Sequence, residues 1–367
     1  MDSLSKNPDD STKRFKSNIL RKPIMRILID ILHPAHVHVF KNFIWEMQKR
    51  GHTIKITSRS KDIANKLLDA YKLEYTNISH PSKSFLGMAW EFFYRAYKLY
   101  KIGRKFKPDV LIGCTGTTIS PVGKLLGKPV FIFYDTEIVP ISNMLSYPLA
   151  TYVCTPDCYS KKIGKQHVKY NGYHELAYLH PNRFKPDESI LKKIGLSKDE
   201  KFFIVRFVSW NTIDHIGKLG FNNKKDLVET LERYGKVLIT SEIALPKEIE
   251  KYQIKIPPEE IHHVMAFATM VIGESATMAS EAAALGVPAI YVSTNWRGYT
   301  NQLESKYGMV YNFNNQEKAT AKIIELLNDK DLKDKWMKKR EIMLKDKTDV
   351  TEWIVNFVES KINIHNL

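Results

Sequence analysis

The chain has few cysteines, a deficit of acidic residues and no long apolar run. Three of its 367 residues are cysteine: Cys114, Cys154 and Cys158. An odd number without a paired framework argues against a disulfide scaffold and predicts reduced thiols in a cytosol. Cys154 and Cys158 lie four apart with no histidine at ligand spacing beside them, so buried thiols are expected rather than a zinc site. No stretch reaches the roughly 18 apolar residues of a spanning helix, which excludes an integral helical membrane protein. Residues 1–24 are polar, lack the apolar core of a secretory signal and read as a flexible extension, so the expected location is the cytoplasm. G-x-G-x-x-G and P-loop lysine signatures are missing, which disfavours NAD and ATP chemistry. No nucleic-acid-binding signature occurs either, so nucleic acid is not an expected partner. Acidic residues number 40 against 56 Lys and Arg, leaving a net charge of +16 that draws anions such as phosphorylated ligands or anionic lipid.

What is present is strand–helix alternation, begun twice. MRILIDIL (25–32) is a continuous apolar run, the mark of a strand buried on both faces. HPAHVH (33–38) reads as a turn, followed by a helix to Arg50 that Gly51 stops. HTIKITS (52–58), DVLIGC (109–114), KPVFIFYD (128–135) and ATYVCTP (150–156) continue as strands, with helices at 61–72 and within 115–127. A polar, proline-bearing stretch (180–200) reads as a linker. The alternation restarts at KFFIVRFV (201–208) and runs through KVLITSE (236–242), TMVIGES (269–275) and VPAIYVS (287–293), with helices at 224–235, 259–268, 277–286 and 316–329. The expected fold is α/β: two Rossmann-like doubly wound domains, 25–182 and 183–348, facing across a cleft. A last helix within 349–367 packs back across them.

The second half carries the densest chemistry. In VIGESATMASEAAALGVPAIYVS (271–293) a buried strand runs into Gly273 and Glu274, and a helix follows at once through Ser275, Ala276, Thr277 and Met278. The unpaired N–H groups of such a helix start, with its dipole, make a cradle for a diphosphate. Glu281, six residues after Ser275, can accept hydrogen bonds from both hydroxyls of a ribose. The plainer alternative is an N-cap serine and a surface glutamate. In the first half, His33, His36 and His38 crowd the loop after the first strand, which faces the cleft. His36, at the expected helix start, is the candidate base for an acceptor hydroxyl; capping or packing is the alternative. No carboxylate joins the three histidines locally, so no metal is expected.

Thr115, Gly116 and Thr117, in GCTGTT (113–118), allow close approach of a ligand. Asp135 and Glu137 form a strand-end acidic pair suited to base duty, and His174 and Glu175 lie where the chain leaves the first half, as cleft contacts or hinge. Segment 84–107 is aromatic and basic together. Arg95, Lys98, Lys101 and Lys105 form one stripe, with Phe85, Phe92, Tyr97, Leu99 and Tyr100 beside it. That suits an anionic bilayer surface, against the alternative of a core-packing helix with a solvated basic face.

Taken together, HPAHVHVFKN (33–42), YNGYHELAYLHP (170–181), RFVSW (206–210), TSE (240–242), GESATMASEAAALG (273–286) and RGYTNQLESKYG (297–308) resemble the DUF354 family, GT-B-like proteins found near polysaccharide genes. The likeness runs over nearly all of 25–345. The 271–293 stretch also resembles the donor-site motif of GT-B glycosyltransferases and of the related UDP-N-acetylglucosamine 2-epimerases. The resemblance implies that Ser275, Ala276, Thr277 and Met278 line a diphosphate and that Glu281 holds the ribose. It also implies that Arg206, Ser209 and Trp210 face the same ligand, that Ser241 and Glu242 touch nucleotide or sugar, and that His262 lies near the base. It further implies a metal-independent glycosyltransferase without a separate cofactor, favouring a UDP-sugar. The acceptor implied is a lipid-linked or glycan molecule in surface polysaccharide or glycolipid synthesis, expected at the inner face of the membrane. Two alternatives stay open. One is a sugar-nucleotide 2-epimerase using Asp135, Glu137 and Glu175, although Ser-Ala-Thr stands where those enzymes carry a Gly-Gly-containing phosphate loop. The other is a non-catalytic sugar-nucleotide-binding module.

Overall fold

The computed structural model describes residues 23–61, 63–82, 84–138, 140–208, 220–295 and 297–365. Its first sheet contains β1 (Arg26–Ile31), β2 (Thr53–Arg59), β3 (Tyr75–Ser79), β4 (Val110–Cys114), β5 (Val130–Phe133), β6 (Tyr152–Pro156) and β7 (His167–Tyr170). They lie in the order β3-β2-β1-β4-β5-β6-β7, and every pairing is parallel. The second sheet contains β8 (Phe202–Phe207), β9 (Lys236–Ser241), β10 (Met270–Gly273), β11 (Ala289–Val292) and β12 (Val310–Phe313). Its order is β12-β11-β10-β8-β9, again all parallel.

Parallel strands need crossover helices on both faces, so both sides of each strand must be apolar. The first sheet meets that demand by alternation. Ile27, Ile29, Val110, Ile112 and Phe131 enter one core, and Leu28, Leu111, Ile132 and Val153 enter another on the opposite face. In each sheet the strand order reverses once. The chain steps outward from β1 to β2 and β3, then returns to the other side of β1 with β4. Likewise it steps from β8 to β9 and returns with β10. The crevices outside the carboxyl ends of β1/β4 and β8/β10 are therefore the places where this architecture opens to a ligand.

Several local expectations are corrected. The first helix starts at Pro34, inside the segment 33–38 that reads as a turn. Proline pre-sets the helical φ at the first position, and the His33 side chain caps the start by accepting from the Ala35 N–H at 3.2 Å. The helix after β4 begins only at Ile119, because Thr115 and Gly116 both take positive φ, 61° and 72°. The helix expected over 259–268 spans Ile261–Met265. Arg95 and Leu99 do not belong to a surface stripe on the helix Phe85–Phe106. Leu99 is core, and Arg95 is buried in an ion pair with Asp30 while donating to Ser79 Oγ at 3.1 Å.

The last helix, Val350–His365, lies against the helix Pro34–Lys49. Glu359 on it accepts from Arg50 at 3.1 Å and sits 3.4 Å from His52, and Phe357 packs on Phe131 and Tyr152. Among the described residues no helix is long and apolar enough to cross a membrane.

Candidate functional site

A cavity of about 170 Å³ lies at the first sheet's reversal point. The loop after β1 supplies His33 and His36, the end of β4 supplies Cys114 and Thr115, and the end of β5 supplies Asp135 and Thr136. His174, Glu175 and Tyr178 come from the segment joining the two halves, and Thr277 and Tyr299 from the second half. Thr115 is a β-branched residue in the left-handed region, a strained conformation of the kind that concentrates at functional sites. Its carbonyl is held by the Ser146 hydroxyl at 2.5 Å. Gly116 is required beside it, since a Cβ there would stand 2.7 Å from the Ile132 side chain.

The polar groups around this cavity divide by protonation. Burial, then the neighbouring His33, holds the His36 imidazole well below its ordinary range, so it is neutral. His36 Nδ1 accepts from the Leu32 N–H at 3.2 Å, which fixes the proton on Nε2. His36 is thus a donor, and base duty would require breaking that contact. His33, pushed down to about 4 by burial, is spent on capping.

His174 is arranged the other way. Its Nδ1 lies 3.2 Å from Asp135 Oδ2. Burial would raise the Asp135 carboxyl, but the charge and hydrogen bond of His174 and the Thr136 hydroxyl at 2.8 Å outweigh it and hold the group at about 2. The contact with Asp135 orients the ring through Nδ1, and the other ring nitrogen, Nε2, is buried without a hydrogen-bond partner. Next to this dyad, burial and the Asp135 charge raise the Glu175 carboxyl to about 8, so it is a neutral acid at pH 7.

The second half presents the start of the helix Ala276–Leu285. Ser275 is its N-cap, with Oγ accepting from the Met278 N–H at 3.3 Å, and Thr277 reaches the cavity. Ala276 is buried and Met278 half-buried against the core. Gly273 is demanded by packing, because a Cβ would come within 2.5 Å of the Arg206 carbonyl on β8. Glu274 is buried and accepts the N–H groups of Val208 at 3.0 Å and Phe221 at 2.8 Å, so it bridges the two ends of the segment after β8. Ser209 and Trp210 lie outside the described residues. Arg206 donates to Glu242 at 2.5 Å beside this segment, and the Ser241 hydroxyl closes a local turn with Ile243.

Glu281 is buried at the seam between the halves, not a surface group. Tyr178 OH donates to its Oε1 at 2.8 Å, and His262 Nε2 lies 2.8 Å from the same oxygen. His38 belongs to this seam and not to the cavity: it stacks on Tyr178 at 5.2 Å and meets the edge of His262 at 4.8 Å. Glu137 is also kept from the cavity. It is fully buried, with its carboxylate on the N–H groups of Ser160 and Gly298 at 3.4 and 3.5 Å. It joins the β5 loop to the start of the helix Gly298–Ser305 because an acid there meets two backbone donors. Gly116 turns the chain, and Thr117 is half-buried beside it.

Residue-by-residue reading of the sequence missed Tyr178 and Tyr299 as cavity walls. It also missed the charges of Lys61, which acts on His33 and His36, and Arg297, which acts on Asp135. Tyr178, Arg297 and Tyr299 do fall inside the segments YNGYHELAYLHP and RGYTNQLESKYG, but no local pattern singles them out.

The family described as "Protein of unknown function (DUF354)" matches residues 25–362. No curated protein matches the chain significantly in sequence. Among solved structures, the S. aureus MnaA–UDP co-structure is similar at a TM-score of 0.65 and 12% identity, over 93% of this chain and 97% of that one. UDP-GlcNAc 2-epimerase from Neisseria meningitidis bound to UDP-GlcNAc is similar at 0.62 and 13%, over 91% and 99%. Acinetobacter baumannii MurG is similar at 0.57 and 16%, over 91% and 99%. Likeness at such identities speaks to the fold, which is GT-B-like.

Proposed function

The chain belongs to the DUF354 family, and for this member we propose a glycosyltransferase that moves a sugar from a nucleotide-diphosphate sugar, UDP favoured, to a hydroxyl acceptor in surface polysaccharide or glycolipid assembly. The observation that carries the reading is the Asp135–His174 dyad facing the start of the helix Ala276–Leu285 across one cavity. A transferase of this kind needs a lone pair that can take the acceptor proton and a cluster of N–H donors that can take the charge of the departing diphosphate.

In this reading His174 Nε2 removes the acceptor proton while the acceptor oxygen bonds to the anomeric carbon. The bond from that carbon to the diphosphate oxygen breaks, and the diphosphate leaves against the first turn at Ala276 and Thr277. Asp135 fixes the tautomer and stabilises the imidazolium. His36 Nε2–H and neutral Glu175 donate hydrogen bonds to sugar hydroxyls. At about 170 Å³ the cavity holds one sugar ring, while whole-ligand pockets run from about 300 Å³ upward. The nucleotide therefore extends along the second half, towards Glu281 and Arg206. Both are engaged within the chain, so ribose must displace Tyr178 or His262 from Glu281, and phosphate must draw Arg206 from Glu242. In aligned solved structures, UDP and UDP-GlcNAc are the named ligands, which favours UDP.

One observation favours a second reading, the 2-epimerase. Asp135 and Glu175 face the same cavity with their carboxyl groups driven apart, one to about 2 and one to about 8. At pH 7 one is ionised and the other protonated, the opposite protonation states that acid–base exchange at C2 requires. Incubating the purified protein with a panel of UDP-sugars separates the readings. A transferase releases UDP productively only when an acceptor is present. An epimerase alters the sugar with no acceptor, and a binding module saturates and does neither. Epimerised sugar without acceptor would overturn the transferase reading.

A further inference from the structure

The helix Phe85–Phe106 carries a face that no described part of the fold covers. Leu86, Trp90, Phe93 and Tyr97 stand at i, i+4, i+7 and i+11 and are 80, 72, 68 and 56% exposed. Isolated exposed apolar residues are ordinary, but a stripe of four large ones on a single helix marks a surface built to be covered. Tyr94 borders the stripe. The same side of the helix continues into Lys98, Lys101, Arg104 and Lys105. Lys98 and Lys101 lie 5.3 and 5.4 Å from the Tyr94 and Tyr97 rings. The one acid of this helix, Glu91, is turned inward and held by Arg59 in a bidentate pair at 2.7 and 2.8 Å. The exposed face therefore offers aromatics and four cations, with no anion among them.

We propose that this face docks the protein on a bilayer rich in anionic lipid. The chemistry selects that occupant. Trp and Tyr suit the boundary between headgroups and acyl chains, lysine stems lie along apolar surface while their ammonium groups reach phosphate, and anionic lipid balances cations that have no acid beside them. A second copy meeting the same face would set four cations against four, and the chain as a whole carries +16. The helix starts at the carboxyl edge of β3, the same sheet edge onto which the cavity opens. On the glycosyltransferase reading, docking there brings the acceptor side of the cleft to the membrane, where a lipid-linked hydroxyl acceptor lies.

The test is sedimentation of the full chain with vesicles of phosphatidylcholine alone and with vesicles one third phosphatidylglycerol. Binding to the second and not the first is expected, and it weakens as salt rises. Lys98→Ser and Lys101→Ser should each cost about fivefold in binding, and the pair Trp90→Glu with Phe93→Glu should lose it. Trp90, Phe93 and Lys101 are exposed and Lys98 is half-buried, and thermal stabilisation by UDP checks each variant independently. No vesicle binding by the wild-type chain overturns the docking proposal, as does a dimer that Trp90→Glu dissolves. Vesicle binding without any UDP response overturns the donor-site reading instead and leaves docking standing.

Discussion

Glu175→Gln probes the neutral acid of the cavity through stability alone, without knowledge of the substrate. Glu175 is 2% exposed, and burial together with the Asp135 charge moves its carboxyl from 4.5 to about 8. The folded chain thus keeps a proton that the unfolded chain releases near pH 4.5. Below that pH both states are protonated and the group carries no penalty. Between 4.5 and about 8 the unfolded state sheds its proton while the folded state cannot, so each pH unit weakens the wild-type fold by about 1.4 kcal/mol. Above about 8 the penalty levels off, at an upper bound of about 5 kcal/mol. Glutamine has nearly the same shape and no charge to lose. The two proteins should therefore agree to within about 1 kcal/mol near pH 4.5 and below, and the variant should become the more stable one as pH rises, fully so above about 8. Denaturant midpoints of both proteins, measured by circular dichroism across that range, give the difference curve. A difference that stays flat with pH, or that favours the wild type at alkaline pH, refutes the assignment of Glu175 as a neutral acid.

Other expectations follow from the same geometry. Asp135→Asn and His174→Gln should each lower turnover by about 10²–10⁴ while UDP affinity, measured by calorimetry, stays unchanged; full turnover in either removes the dyad as the base. Glu281→Ala should weaken UDP binding by about 1–3 kcal/mol, and it should also lower the melting temperature, because Tyr178 and His262 lose a shared acceptor. Gly220→Ala would set a Cβ 2.0 Å from Glu274 Oε1, so Glu274 must leave the N–H groups of Val208 and Phe221. Thermal melts should show a loss of about 1–3 kcal/mol, and an unchanged melt would mean the carboxylate has another resting place.

Much of the architecture was legible because parallel strands advertise themselves. MRILIDIL and DVLIGC read as buried strands, and both lie within a residue or two of β1 and β4. Short edge elements such as β3, β7 and β12 escaped, since four or five residues with half-buried sides carry no clear period. The histidines near the cleft were visible, but their duties were not. Which ring nitrogen of His36 and of His174 is left without a partner depends on the Leu32 N–H and on Asp135, contacts that only folding brings together. Glu281 looked like a ligand group from its helix alone, and its two partners arrive from residues 103 and 19 positions away. Arg95 read as surface because a helical wheel does not reveal that Asp30 waits beneath it.

His174, Glu175 and Tyr178 sit on the stretch of chain that connects one half to the other, so the joint of the molecule is also a wall of its cavity. A swing of either lobe would pull the imidazole off an aspartate anchored in the first sheet. On the transferase reading, the proton relay would then exist at one interdomain angle and be dismantled at others. An enzyme wired in this way would leave an activated sugar untouched by stray water until both lobes had closed on a complete pair of reactants.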